Sequence, residues 1–197
     1  MIPARWLDDA ALLKRALAGE RQASAALVDR LMTPAHSLAW RMTGSSAVAE
    51  DIVQEAFARL WQTAARWEPR ASVNTFFTRI VINLCYDHHR AAGAFPLVDE
   101  PAGTAAIEAT AAEGDLLEDM AARQSRSEVR AALHRLSVRH RAVLVMWAYS
   151  DLGVREIAAA MDMNENAVHQ LLHRARAALR AQLENGADRK GKSNAAK

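Results

Sequence analysis

The chain carries only eight glycines and five prolines in 197 residues, too few to close the many turns of a sheet protein this long. Alanine, the residue that loses least on entering a helix, occurs 43 times, against 25 β-branched residues. The fold expected is therefore all-α, and an all-β sandwich is excluded. At this length either one large domain or two small ones can bury a real core. A single cysteine, Cys85, excludes an internal disulfide framework and any Cys-rich metal site, and suits a reducing cytoplasm. No run approaches the ~18 apolar residues of a membrane span. The N-terminus reaches Asp8 and Asp9 without the basic start and apolar centre of a signal peptide. A soluble, cytoplasmic protein without membrane insertion is expected.

The formal charge of +2 hides a strong asymmetry. Residues 1–90 carry 11 basic and 9 acidic side chains, residues 91–127 carry 2 and 7, and residues 128–197 carry 12 and 7. A basic C-terminal third beyond an acidic spacer suits a polyanion partner, and it suits ordinary solvated basic faces equally well. Charge alone does not decide.

Hydrophobic spacing divides the chain. Leu12, Leu13, Ala16 and Leu17 form a short helical stripe. Leu27, Leu31, Leu38 and Met42 form a second, which Pro34 is expected to kink or break. Gly44-Ser45-Ser46 reads as a stop followed by a new cap. The next helix puts Val48, Ile52, Ala56, Phe57, Leu60 and Trp61 on one face and Glu50, Asp51, Gln54, Glu55, Arg59 and Gln62 on the other. After a loop near Trp67, another helix is predicted from about 73 to 90. Residues 92–125, rich in Ala, Gly, Pro and acids, read as a flexible tether with a possible helical stretch near 115–122. Two small helical domains, 8–91 and 126–183, are thus expected on either side of it. The basic stretch 184–197 reads as a disordered tail.

Residues 154–173 have the spacing of a helix-turn-helix. Ala158 is small enough for two helices to cross there, and Ile157, Met161, Met163 and Val168 are apolar anchors. Asp162 takes the turn position that prefers Gly, which Asp tolerates better than most residues. Asn164 is the expected N-cap of the second helix. That helix is predicted to expose Glu165, Asn166, His169, Gln170, His173 and Arg174, with Arg176 and Arg180 further along. Asn and Gln pair with adenine, Arg with guanine, and later arginines with phosphate. Plain packing hairpins have the same size, so this spacing alone leaves both readings open.

The two blocks together are more specific. The stretch from Ala49 through Asp51-Ile52-Val53-Gln54-Glu55 to Leu60-Trp61 resembles the core-binding helix of bacterial extracytoplasmic-function (ECF) sigma factors. Thr75-Phe76-Phe77-Thr78-Arg79-Ile80-Val81-Ile82-Asn83-Leu84-Cys85-Tyr86-Asp87 resembles their promoter-melting helix. Residues 136–179, ending His173-Arg174-Ala175-Arg176-Ala177-Ala178-Leu179, resemble their C-terminal domain. The resemblance covers roughly 10–90 and 126–183 in the family's order. It implies that Asp51, Gln54, Glu55 and Arg59 dock on the clamp helices of the polymerase β′ subunit. It implies that Trp67, Arg70, Asn74, Phe76, Arg79, Asn83 and Arg90 hold a melted −10 element, since bases stack on rings and phosphates pair with Arg. Arg155, Glu165, Asn166, His169, Gln170, His173, Arg174 and Arg176 would then read a −35 element. Partners implied are core RNA polymerase (β′ clamp helices and β flap), promoter DNA and an anti-sigma factor, with the free protein a monomer.

Departures from the family pattern stand at Phe76, where Trp is usual, and at Asp87-His88-His89-Arg90, where a run of Arg is general. Leu171 and His169 stand where Arg and Lys are common on the recognition helix. His169 and His173 have the spacing of a zinc pair but no third ligand follows, so neither metal nor cofactor is expected. No nucleophile context or phosphate-cradling Gly loop points to an enzyme, and Cys85 is expected to be buried. Two rivals share the pattern. One is a sigma-like decoy that captures an anti-sigma factor; the other is a dimeric helix-turn-helix repressor, for which the 49–61 helix would be the dimer interface.

Overall fold

Five of the described helices begin where the sequence supplies a side-chain oxygen for the first free backbone N–H groups. Asp8 accepts from the Ala11 N–H at 2.7 Å, Ser45 from Val48 at 3.4 Å, Ser72 from Thr75 at 3.0 Å, Ser137 from His140 at 3.3 Å and Asn164 from Ala167 at 2.8 Å. In the computed structural model, which describes residues 7–67, 71–93, 126–150 and 152–194, these caps help frame eight α-helices and no strand among the described residues. They are α1 (Asp9–Leu17), α2 (Arg21–Thr43), α3 (Ser46–Thr63), α4 (Val73–Ala91), α5 (Arg126–Arg135), α6 (Val138–Tyr149), α7 (Val154–Met161) and α8 (Glu165–Asn194), with a 3₁₀ turn at Ala64–Arg66.

Two expectations fail. Pro34 does not break α2, which runs from Arg21 to Thr43 as one helix. Pro34 is exposed, so the Arg30 carbonyl that loses its donor lies on the side open to water. The buried Leu27, Leu31, Ala35, Leu38 and Met42 hold the opposite side through the proline. The second failure is the tail: α8 continues to Asn194 instead of ending near 183. Leu183 is buried, and Arg135 of α5 donates to the Gln182 side chain at 3.0 Å and to its carbonyl at 3.2 Å. With that turn anchored and no proline after it, helix propagation continues.

The N-terminal half packs α1, α3 and α4 around α2, and the C-terminal half packs α5, α6 and α7 against α8. The halves are not apart. α4 lies against α7 and α2 against α6, and one continuous buried cluster runs from Leu12 through Phe77 and Val143 to Leu183. The expected tether and its helical stretch near 115–122 lie outside the described residues, apart from 92 and 93.

Candidate interaction surfaces

α3 is amphipathic as its spacing demands. Ile52, Val53, Ala56, Phe57 and Leu60 are buried, and the Phe57 ring meets that of Phe77 at 4.6 Å between centroids. On the other face Asp51, Gln54 and Glu55 are exposed, and Arg59 is half-exposed with its Nε donating to Glu55 at 2.8 Å. That pair is an exposed i, i+4 contact, worth about 0.3–0.5 kcal/mol. The structure adds residues the sequence reading missed. Gln54 and Glu50 line a groove between α3 and α2, whose other wall is built by Met32, His36 and Trp40. Their spacing of four placed them on one stripe of α2, offset from the core stripe; that was the available signal.

The set assigned to the second surface is spread along α4 and its approach. Trp67 is half-buried against the core, with its indole N–H enclosed and without a partner. Asn74 and Phe76 are half-buried, and Asn83 is exposed. Arg90 is exposed and pairs with Asp87 at 3.0 Å. Arg70 lies outside the described residues. Phe77 is core, at 1% exposure, as is Cys85, whose thiol burial pushes to about 12 and so keeps protonated. The N-terminal end of α4 is covered by α7. Glu156 of α7 accepts from the Thr75 hydroxyl at 3.0 Å and from that of Ser72 at 3.4 Å. Nearby Arg79 approaches Asp162 at 3.7 Å.

α7 and α8 form the helix-turn-helix. Asp162 adopts the left-handed conformation, φ 57° and ψ 48°, and the Met163 N–H closes the turn on the Ala158 carbonyl at 2.9 Å. Ala158, Ile157 and Val168 are buried at the crossing. Glu165, Asn166, His169 and His173 are exposed on α8, while Gln170 and Arg174 are half-buried, with the Arg174 Nε donating to the Gln170 carbonyl at 3.4 Å. Arg155 is exposed on α7, in a cleft it shares with Asp8, Asp9 and Trp67. One assigned residue does not belong to the outer face. Arg176 is 6% exposed, and its guanidinium stacks on Trp147 at 4.3 Å from the ring centroid. Leu171 is also buried, so the apolar residue there is core packing and leaves the outward face unaltered.

Comparison with known proteins bears on all three surfaces. Residues 27–95 match the family model of sigma-70 region 2, and residues 126–179 that of sigma-70 region 4. The ECF RNA polymerase sigma factor SigM of Mycobacterium tuberculosis is 30% identical over 172 residues, spanning 87% of this chain and 83% of that one. The chain belongs to the ECF sigma factors. It is a sigma factor that directs transcription initiation. SigW of Bacillus subtilis, another ECF sigma factor, is 29% identical over 178 residues, 88% of this chain and 95% of its own length. Among solved structures, CnrH in complex with the cytosolic domain of CnrY shares the fold at a TM-score of 0.66 and 23% identity, over 90% of this chain and 97% of that one. The sigma factor RpoE in complex with the anti-sigma factor NepR from Bartonella quintana does so at 0.59 and 19%, over 80% and 94%. No described helix of this sigma factor is long and apolar enough to cross a membrane.

Proposed function

We propose that this sigma factor divides its work among three surfaces. The outer face of α3, Asp51, Gln54, Glu55 and Arg59, docks on the β′ clamp helices of core RNA polymerase, with Met32, His36 and Trp40 extending the contact along the groove. The segment from Trp67 through α4, with Arg70, Asn74, Phe76, Arg79, Asn83 and Arg90, opens and holds the −10 element. The outer face of α8, with Arg155 of α7, reads the −35 element while this half rests on the β flap. The observation that carries the reading is that the left-handed Asp162 turn sets α8 with Glu165, Asn166, His169 and His173 outward, on the same chain whose α3 keeps a carboxylate-rich face uncovered. With Glu156 seated on Ser72 and Thr75, the N-terminal end of α4 reaches a DNA strand only after α7 moves off.

The protein itself needs no catalytic group, because nucleotidyl transfer belongs to the polymerase. Both solved relatives described above are held by partners, in one case an anti-sigma factor by its own description, which supports an anti-sigma partner for this chain. A monomer fits the packing, since the described core closes within one chain, and action in the cytoplasm fits a partner that is RNA polymerase. The test is gel filtration of the purified protein with bacterial core RNA polymerase. Co-elution that is lost in Asp51→Ala/Gln54→Ala, with unchanged helicity, is expected. A folded monomer that ignores polymerase would favour the decoy, and a stable dimer that ignores it would favour the repressor.

A further inference from the structure

Besides the α4–α7 contact, the two halves meet at the C-terminal end of α2. Gly44, at φ +79°, turns the chain away and leaves the Met42 carbonyl facing the C-terminal half. Two donors from different elements converge on that oxygen: His89 Nε2 of α4 at 3.0 Å, and a terminal nitrogen of Arg141 from α6. The same guanidinium donates to the carbonyls of Leu133, His134 and Leu136 at 3.0, 2.8 and 3.3 Å. One buried cation therefore caps the ends of α2 and α5 together, where the carbonyl ends of both helices favour positive charge. The His134 ring of α5 packs against Gly44, so close that a Cβ there would stand 3.0 Å from its Cε1. Its Nε2 is buried without a hydrogen-bond partner.

Among the described residues, the charged groups that act on these two rings are cationic. Arg141 faces both from α6; His88 and the neutral Cys85 thiol come from α4, and Arg130 from α5. From α2 come the Met42 carbonyl and Arg41, whose guanidinium is stacked 3.7 Å from the Tyr149 ring centroid. α8 meets α5 through Gln182 and Arg135.

We propose that the Met42–Gly44 turn is a proton-operated latch between the halves: with His89 and His134 neutral it holds Arg141 and closes the molecule, and protonation of the two rings sets like charges against Arg141 and releases the C-terminal half. The carbonyl ends that would welcome a new cation are already taken by Arg141. Burial first, then Arg141, holds His134 below its ordinary value of 6.5. Burial dominates at His89 too, where it outweighs the Met42 hydrogen bond that raises the value. When the halves part, the rings gain water and lose Arg141, so they bind protons more readily. The open form thus holds more protons, and acidification favours it. This inference rests on the packing of the halves and not on what the released surfaces bind.

The experiment labels Ala58→Cys on α3 and Ala177→Cys on α8, both exposed, with a fluorescent donor and acceptor; buried Cys85, its thiol held protonated, escapes labelling. Energy transfer in the full chain is expected to be high and flat above pH about 7 and to fall as pH drops below about 6.5, with helicity by circular dichroism unchanged. In His89→Asn/His134→Asn it is expected to stay high throughout. Transfer that is constant down to pH about 5, or that falls equally in the double variant, overturns the latch. If the double variant loses helix, the wild-type imidazole proton resonances decide. His89 and His134 must titrate below the ordinary imidazole value of 6.5, in step with the loss of transfer; ordinary or mismatched midpoints overturn the proposal. Polymerase binding does not enter either readout, so failure here leaves the proposed function untouched.

Discussion

Arg174 and Arg176 stand two positions apart on α8 and have opposite surroundings. A helix turns about 200° between such neighbours, so when Arg176 stacks on Trp147 in the interior, Arg174 is left towards the outside. Arg174→Ala is expected to weaken binding to the cognate −35 sequence by about 1–3 kcal/mol and to relax selectivity at one position. Quantitative competition with mutated promoters measures this; equal loss on every sequence would make Arg174 a phosphate contact instead. Arg176→Ala is expected to leave selectivity alone and lower stability by about 1–2 kcal/mol through the lost cation–π contact and stem packing. Urea unfolding checks it. Both arginines are legible in the sequence as cations on a basic helix. Which of them faces inward was not, because their own spacing is compatible with either and only the position of Trp147 on α6 settles it.

At the level of the element, the sequence was most readable where the physics is local. The caps expected after Gly44 and at Asn164 form, and with those the structure adds at Asp8, Ser72 and Ser137 they bond backbone N–H groups three residues on, and so depend on nothing distant. The break allowed at Pro34 does not occur for the same reason: the local rule ignores that α2 is clamped along its buried side. Asp51→Ala/Gln54→Ala is expected to weaken polymerase binding by tenfold or more, about 1.4 kcal/mol, with unchanged far-ultraviolet dichroism. Retained binding would move the docking face elsewhere. Trp40→Ala tests the neighbouring groove wall in the same assay and is expected to act in the same direction. Gly44→Ala meets two obstacles, a left-handed backbone and the His134 ring. It is expected to lower stability by about 1–2 kcal/mol from backbone strain alone, measured by thermal melting.

For the whole molecule, the continuous core makes a further demand. Above pH 6.5, the ordinary value of the two histidines, the halves are expected to unfold in a single calorimetric transition. Because burial depresses both values in the closed form, stability is fully present there and is lost as pH falls below 6.5 towards the depressed values. Two resolved transitions in that acidic range, merging again in His89→Asn/His134→Asn, are the expected result. Arg141→Ala should split the transition even at neutral pH, since it leaves buried carbonyls unpaired at about 1–3 kcal/mol each.

The amino-acid order alone determined the helices, their caps, the turn at Asp162 and the succession of two sigma regions, because these depend on contacts within a few residues. Tertiary structure decided what local spacing does not encode: that Arg176 and Leu171 turn inward, that α8 runs on past Leu183 along α5, and that the halves close on each other. Arg141 meets the Met42 carbonyl across 99 positions of chain. No periodicity reports so distant a pairing, which exists only where two helix ends present unpaired carbonyls to one guanidinium.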